Sequence, residues 1–187
     1  MSLADNSESV SLDEYLAAER ASELRHEYIH GQVYAMTGGS LNHGQICANL
    51  LVAVHSAARA KGCRAYSGTT KLVIADSYVY YPDLMVVCGE TVGKDTETAP
   101  CLLAEVLSPS TRQNDLREKR AHYTQTDSLE AYLLLEAEAP YIEVYRRSRI
   151  SGRWNSERYG MGKTFSLLCP DVELVVNELY RGVVDIM

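Results

Sequence analysis

The run Leu102-Leu103-Ala104-Glu105-Val106-Leu107 governs how the rest of the chain is read. Its residues are apolar save one, with no alternation of polar and apolar positions, the pattern of a strand covered on both faces. A second such run, Leu84-Met85-Val86-Val87-Cys88, lies upstream. Both are predicted to be central strands. Glu105 therefore falls where an ionised carboxylate is costly unless it is paired, neutralised or bound to a cation. Asp83 opens the other central strand, directly after Pro82. Strands in one sheet lie about 4.8 Å apart, so carboxylates at neighbouring positions can share one divalent ion. Hard oxygen donors favour Mg²⁺ or Mn²⁺ over zinc. A buried acid satisfied by Arg or Lys is the competing explanation of the same residue. If the cation is a metal, Glu105→Ala is expected to leave the metal-free chain no less stable, because an unpartnered, desolvated charge is removed.

Beyond Leu107, the Ser108-Pro109-Ser110 break leads to a charged helix bearing Leu116, His122 and Tyr123 and ending near Thr126; Tyr132–Leu135 then resumes as strand. Strand, helix, strand is a βαβ crossover. Asp115 and Lys119 stand four residues apart in that helix, and Tyr123 continues the face. Turned toward the strand ends, this face would set an ammonium near the two carboxylates, where it could orient a water or stabilise charge on a phosphorane. Turned outward, it is an ordinary exposed ion pair.

Upstream, Ser11 is a cap for a helix through about Ser22, and Tyr28, Ile29, Val33, Tyr34 and Met36 are strand-favouring residues around Gly31. Ile46, Leu50 and Val54 recur on one side of a helix from about Asn42 to Ala60, stopped by Lys61-Gly62. Thr69–Ala75 and Val79–Cys88 read as strands turning at Asp76-Ser77. A hairpin around Pro140 and an apolar segment, Val172–Leu179, end the chain.

With 187 residues, 46% of them hydrophobic and 23% charged, the chain can build a sizeable core as one domain, 1–187, with 1–10 as a flexible terminus. No apolar run approaches the ~20 residues of a spanning helix. The amino terminus lacks the basic and apolar regions of a secretion signal, so a cytoplasmic protein without membrane partners is expected. Cys47, Cys63, Cys88, Cys101 and Cys169 are odd in number and form no C-x-x-C, which favours buried thiols over a disulfide framework or a zinc ribbon. His26 and His30 sit in an extended stretch and are expected to be structural rather than a helical metal face.

The formal charge of −7 is unevenly spread. Between Tyr141 and Lys163 six cations face two anions, a local +4, with Tyr145, Trp154 and Tyr159 among them. This pattern suits bases stacking beside a phosphate backbone, but it equally describes a solvated hairpin whose Arg stems cover rings, and taken alone it favours the hairpin. Arg146, Arg147, Arg149 and Arg153 are the candidate nucleic-acid contacts.

Taken in order, HEYIHGQVYAMTGGSLNHGQICANL, YYPDLMVVCG, LLAEVLSPSTRQNDLREKRAHY and VYRR resemble the Uma family of putative restriction endonucleases, within the PD-(D/E)XK nuclease superfamily, from about Leu12 to Val183. The resemblance implies an α/β (α+β) fold with a restriction-endonuclease-like core, a central mixed sheet flanked by helices, and metal-dependent phosphodiester hydrolysis. Asp83 matches the Asp of the PD motif and Glu105 the acidic position of (D/E)XK. The superfamily lysine would stand at 107, where this chain has Leu107; the Uma pattern carries it later, at Lys119. The expected catalytic set is thus Asp83, Glu105 and Lys119, with Asp83 and Glu105 holding Mg²⁺ or Mn²⁺. Glu27 and His43 match family positions at the site's edge, Asp115 is a further accessory candidate, and Lys71 is a second candidate for the cation. The class implies a DNA substrate and a two-fold homodimer. A nuclease-fold protein that binds nucleic acid or assembles with little turnover is the alternative, fed by the net acidity and by Leu107. A structural protein whose core acid is salt-bridged is a third.

Overall fold

The computed structural model describes residues 9–91, 93–108 and 115–184, without the side chains of residues 115 and 116. Ser11 caps α1 (Leu12–Ala21) in a reciprocal capping box: its hydroxyl accepts from the Glu14 N–H, and the Glu14 carboxylate accepts from the Ser11 N–H. β1 (His26–Ile29) and β2 (Gln32–Ala35) form a hairpin. Its turn residues, His30 and Gly31, both have positive φ, 47° and 86°, which is the primed turn that matches strand twist in a two-residue connection. α2 (Leu41–Ala60) is capped by Ser40 and buries Ile46, Leu50, Val54 and Ala58 along one side, as its spacing predicts.

Strands β3 (Arg64–Ser67), β4 (Lys71–Ile74), β5 (Tyr78–Tyr80), β6 (Leu84–Val87), β7 (Thr96–Glu97) and β8 (Pro100–Leu107) follow. The stretch expected to be one strand from Val79 to Cys88 is two. Pro82 has no N–H to give a ladder, and there the chain leaves one sheet for another. The crossover helix is a π-helical turn, Asp115–Lys119, running into an α-turn, Arg120–Tyr123. β9 (Ala131–Glu136), β10 (Tyr141–Arg147), β11 (Trp154–Gly160), β12 (Thr164–Leu168), β13 (Asp171–Val175) and a helical turn, Val176–Leu179, complete the described chain. The basic segment from Tyr141 is indeed a hairpin, β10–β11.

The central sheet runs β11-β10-β9-β8-β6-β3 and is mixed, because β8 and β9 are parallel while its other pairs are antiparallel. A second sheet, β2-β1-β5-β4-β7, covers one face, and β12 pairs with β13 alone. Side-chain alternation along β8 sorts the layers. Leu102, Ala104 and Val106 join the α2 core with Ile46, Leu50, Val54 and Phe165. Leu103 and Leu107 join Leu72, Ile74, Tyr80, Tyr123 and Tyr132 between the two sheets. α1 closes the outside of the second sheet through Tyr15, against Tyr28, Val73 and Val79. Both apolar runs are therefore internal strands with both faces covered, which is why neither alternates.

The expectation for the cysteines changes. The sulfurs are not all thiols: Cys63 is bonded to Cys88 and Cys101 to Cys169, leaving Cys47 free. Cys63, Cys88 and Cys101 are brought close because β3, β6 and β8 are neighbours, and Cys169 reaches them from the turn of the separate β12–β13 hairpin, which linear spacing does not reveal. Of the terminus expected to be flexible, residues 1–8 lie outside the described residues, and Val10 is tied to the β1–β2 hairpin by hydrogen bonds with Gly31 O and Tyr28 OH, each 3.0 Å. His26 and His30 have separate structural partners, in line with their reading from sequence: His26 meets Glu19 and His30 meets the Tyr78 hydroxyl. Among the described residues no helix is long and apolar enough to cross a membrane.

Glu19 fastens α1 to the second sheet. Its carboxylate accepts from Tyr81 OH and His26 N–H, each at 2.8 Å, and lies 2.9 Å from His26 Nδ1. Burial alone would raise its pKa, but these hydrogen bonds outweigh burial and hold it below the ordinary Glu value of 4.5. A depressed carboxyl pKa contributes stability above the unfolded-state value that is lost as pH falls through the folded one. Glu19→Gln should therefore melt lower than the parent at neutral pH, and the gap should close as the pH drops below about 4.5. Urea titrations at three pH values measure it.

Candidate active site

Glu105 is 3% exposed and Lys119 7%, so the acid and the cation that sequence reasoning singled out are both inside the protein. The alternation that sends Leu103 and Leu107 between the sheets sends Glu105 there too. Its Oε1 accepts from Tyr123 OH at 2.7 Å and lies 3.4 Å from Lys119 Nζ. Lys119 Nζ is also 2.9 Å from Glu27 Oε1, on β1, and 5.6 Å from the centre of the Tyr80 ring. One ammonium thus bridges carboxylates from both sheets. Glu27 Oε1 is buried and accepts no well-aligned hydrogen bond among the described residues, so that contact is chiefly charge on charge.

The β6–β8 register pairs Leu84 with Ala104, and one step further along it Asp83 faces Glu105. Asp83 Oδ2 accepts from the Val106 N–H at 2.8 Å and lies 3.0 Å from His43 Nε2 in the first turn of α2. A carboxylate can only accept, so Nε2 carries the proton there. In the neutral ring Nδ1 is then an acceptor, 3.6 Å from Cys47 Sγ. Burial, followed by the charges of Asp83 and Glu105, pushes the Cys47 thiol pKa up, so Cys47 remains a protonated donor. Burial and the Glu105 charge likewise hold the Tyr123 phenol well above its ordinary range, keeping it a proton donor to Glu105.

The sequence-derived set is therefore largely brought together: Asp83, Glu105, Lys119, Glu27 and His43 surround one region. Lys71 is not part of it; its ammonium is buried beside Asp95, at 2.9 Å, and the Tyr81 ring. The Asp115 side chain lies outside the described residues. The arginines stand at the far end of the sheet, where Arg146 opposes Ala131, and Ala131 opposes Leu102 rather than Glu105. Arg146, Arg147 and Arg149 are paired with Glu157, Asp127 and Glu130, while Arg153 is exposed in the β10–β11 loop. Tyr123 and the Val106 N–H were not assigned roles from sequence. The four-residue step from Lys119 signals Tyr123; nothing in sequence signals a backbone donor.

Glu105 also departs from the expectation that it lacks a partner without metal. Lys119 and Tyr123 supply one, so Glu105→Ala removes a paired charge. As metal donors, Asp83 and Glu105 offer the hard carboxylate oxygens that Mg²⁺ and Mn²⁺ prefer. The His43, Cys47 and Asp83 ligand atoms also lie within 4.8 Å of one another.

The mixed sheet flanked by helices on which these groups stand is the fold of a putative nuclease. The crystal structure of "a putative nuclease belonging to DUF820" from Anabaena variabilis is similar to the chain with a TM-score of 0.75, over 91% of this chain and 97% of that one, at 18% sequence identity. The chain belongs to the Uma2 family, described as "Putative restriction endonuclease", whose profile matches residues 12–177. Two uncharacterized proteins of Synechocystis sp. are relatives. One, slr1290, is 33% identical over 176 residues, covering 92% of each chain. The other, sll1609, is 31% identical over 139 residues, 72% of this chain and 78% of that one.

The buried bridge predicts a double-mutant result. Lys119→Met alone strands Glu27 and Glu105 and should cost about 3–5 kcal/mol of unfolding free energy in chelator. Adding Glu105→Gln should recover part of that loss, a coupling that urea denaturation of the four proteins measures.

Proposed function

We propose that the protein is a divalent-metal-dependent endonuclease that hydrolyses DNA phosphodiester bonds at the Asp83–Glu105 centre. The observation that carries this reading is the opposed register of the two acids, with Lys119 against Glu105. Asp83 and Glu105 would hold Mg²⁺ or Mn²⁺. Such an ion polarises a phosphoryl oxygen and lowers the pKa of bound water.

The protein's own groups do the rest. The Val106 N–H and His43 orient the Asp83 carboxylate, and Tyr123 orients Glu105. Lys119 positions the attacking water or stabilises charge developing on the phosphate, acting where burial makes its field strong. Glu27 holds Lys119 in place from the second sheet. A two-fold homodimer would present one such centre to each DNA strand.

A second reading, a nuclease-fold protein that binds nucleic acid or assembles with little turnover, draws on one observation: Leu107 stands where the (D/E)XK pattern carries its lysine. Incubation with duplex DNA in chelator, Mg²⁺ and Mn²⁺ separates the two. The nuclease reading requires cleavage with metal only, lowered about 100-fold or more by Asp83→Asn, a near-isosteric change. Salt-dependent binding without cleavage in either metal supports the second reading, and neither binding nor cleavage contradicts the nuclease reading and the nucleic-acid-binding form of the second.

A further inference from the structure

The far end of the same two strands holds a second cluster. Cys63 precedes β3, Cys88 follows β6, Cys101 is on β8 and Cys169 lies in the β12–β13 turn. The β3–β6 register, Arg64 opposite Val87, places Cys63 opposite Cys88. Between Val86 and Val87 the β6–β8 ladder shifts, so that Leu102 and Pro100 are paired and Cys101 between them is the extra residue of a bulge. A bulge re-aims a side chain, and here it turns a sulfur toward the others.

The two disulfides do not merely lie near one another. Cys88 Sγ is 3.2 Å from Cys169 Sγ and 3.5 Å from Cys101 Sγ, across the two pairs. The Cys63, Cys88 and Cys169 sulfurs all fall within 4.8 Å of one another. Two covalent staples have no need to bring their sulfurs to one point, whereas a metal requires it. Tetrahedral zinc with Zn–S of about 2.3 Å sets its sulfurs about 3.8 Å apart, close to the Cys88–Cys169 and Cys88–Cys101 separations; Cys101 lies outside the group of three and would close on Cys63 when the S–S bonds are released. An iron–sulfur cluster would need a wider cage. Cys63 and Cys101 are buried, Cys169 is partly so and Cys88 is exposed, which leaves an entry path for an ion.

We propose that Cys63, Cys88, Cys101 and Cys169 form, in the reduced chain, a mononuclear tetrathiolate site for Zn²⁺. It is separate from the carboxylate centre: Cys88 is five residues from Asp83 and Cys101 four from Glu105 along their strands, roughly 13–16 Å at the rise of a strand. The site ties the β12–β13 hairpin to three neighbouring strands, β3, β6 and β8. Reduction by a phosphine balances as follows. Each S–S bond breaks as it takes two electrons from one phosphine, water supplies two protons and the oxygen of the phosphine oxide, and two thiols form. Zn²⁺ then displaces four thiol protons to solvent, giving four Zn–S bonds.

The test is an anaerobic Co²⁺ titration of the full-length chain after phosphine reduction, read by absorption and by far-ultraviolet circular dichroism. The expected result is one thiolate-ligated Co²⁺ per chain, with the thiolate-to-cobalt charge-transfer band and intense visible bands of a tetrahedral site. One equivalent of Zn²⁺ should abolish them, excess Mg²⁺ should not, and the oxidised chain should show none. Cys88→Ser combined with Cys169→Ser should lose the charge-transfer band. If the reduced metal-free chain is unfolded, Zn²⁺ should refold it. The proposal is overturned by a reduced parent chain that gives only the weak spectrum of an oxygen-ligated cobalt ion, by a charge-transfer band that survives the double substitution, or by a reduced, unfolded chain that Zn²⁺ does not restore.

Discussion

The structure depends on how one carboxylate is tolerated inside it. Glu105 lies on β8, which has a strand on each side and a layer on each face. An acid there needs compensation that a strand cannot supply itself. The crossover helix supplies it, bringing the Lys119 ammonium and the Tyr123 hydroxyl to the same oxygen. Glu27 adds a second negative charge to the same lysine from β1. The contact that satisfies Glu105 therefore also joins the two sheets. Asp83 is restrained in the same manner, by a backbone donor from β8 and by a histidine from the start of α2.

These partners make the polar centre more than a stabilising ion pair. A hydrophobic group of the same shape often serves a core as well as a buried salt bridge does, so six polar side chains in one region require a reason other than stability. A cation shared by both acids, as proposed, would be that reason. In the proposed nuclease the restraints would have a catalytic value as well, because carboxylates held by fixed donors need little reorganisation when a phosphate arrives.

Much of this was legible in the sequence because it is local. The Ser11 cap, the four-residue spacing of Ile46, Leu50 and Val54 and the unbroken runs around Leu84 and Leu102 each report a nearest-neighbour constraint that the fold respects. Glu105 stood out because it broke such a run. What remained hidden depends on strand order and packing. That Lys119 rather than Lys71 reaches Glu105, that Arg146 and Arg147 stand at the opposite end of the sheet, and that four cysteines from distant segments converge all depend on tertiary arrangement: strand order for Cys63, Cys88 and Cys101, and the packing of the β12–β13 hairpin for Cys169. The strand break at Pro82 was foreshadowed by the missing donor, but the change of sheet that follows it was not.

The central claim is that Asp83 and Glu105 face one another in order to share a cation. Anomalous scattering at the manganese edge, from crystals soaked in Mn²⁺, addresses it without a known DNA substrate. The account predicts a peak within coordination distance, about 2.2 Å, of an oxygen from each carboxylate. Manganese bound elsewhere, with Lys119 still seated on Glu105 and no peak between the two acids, would contradict it.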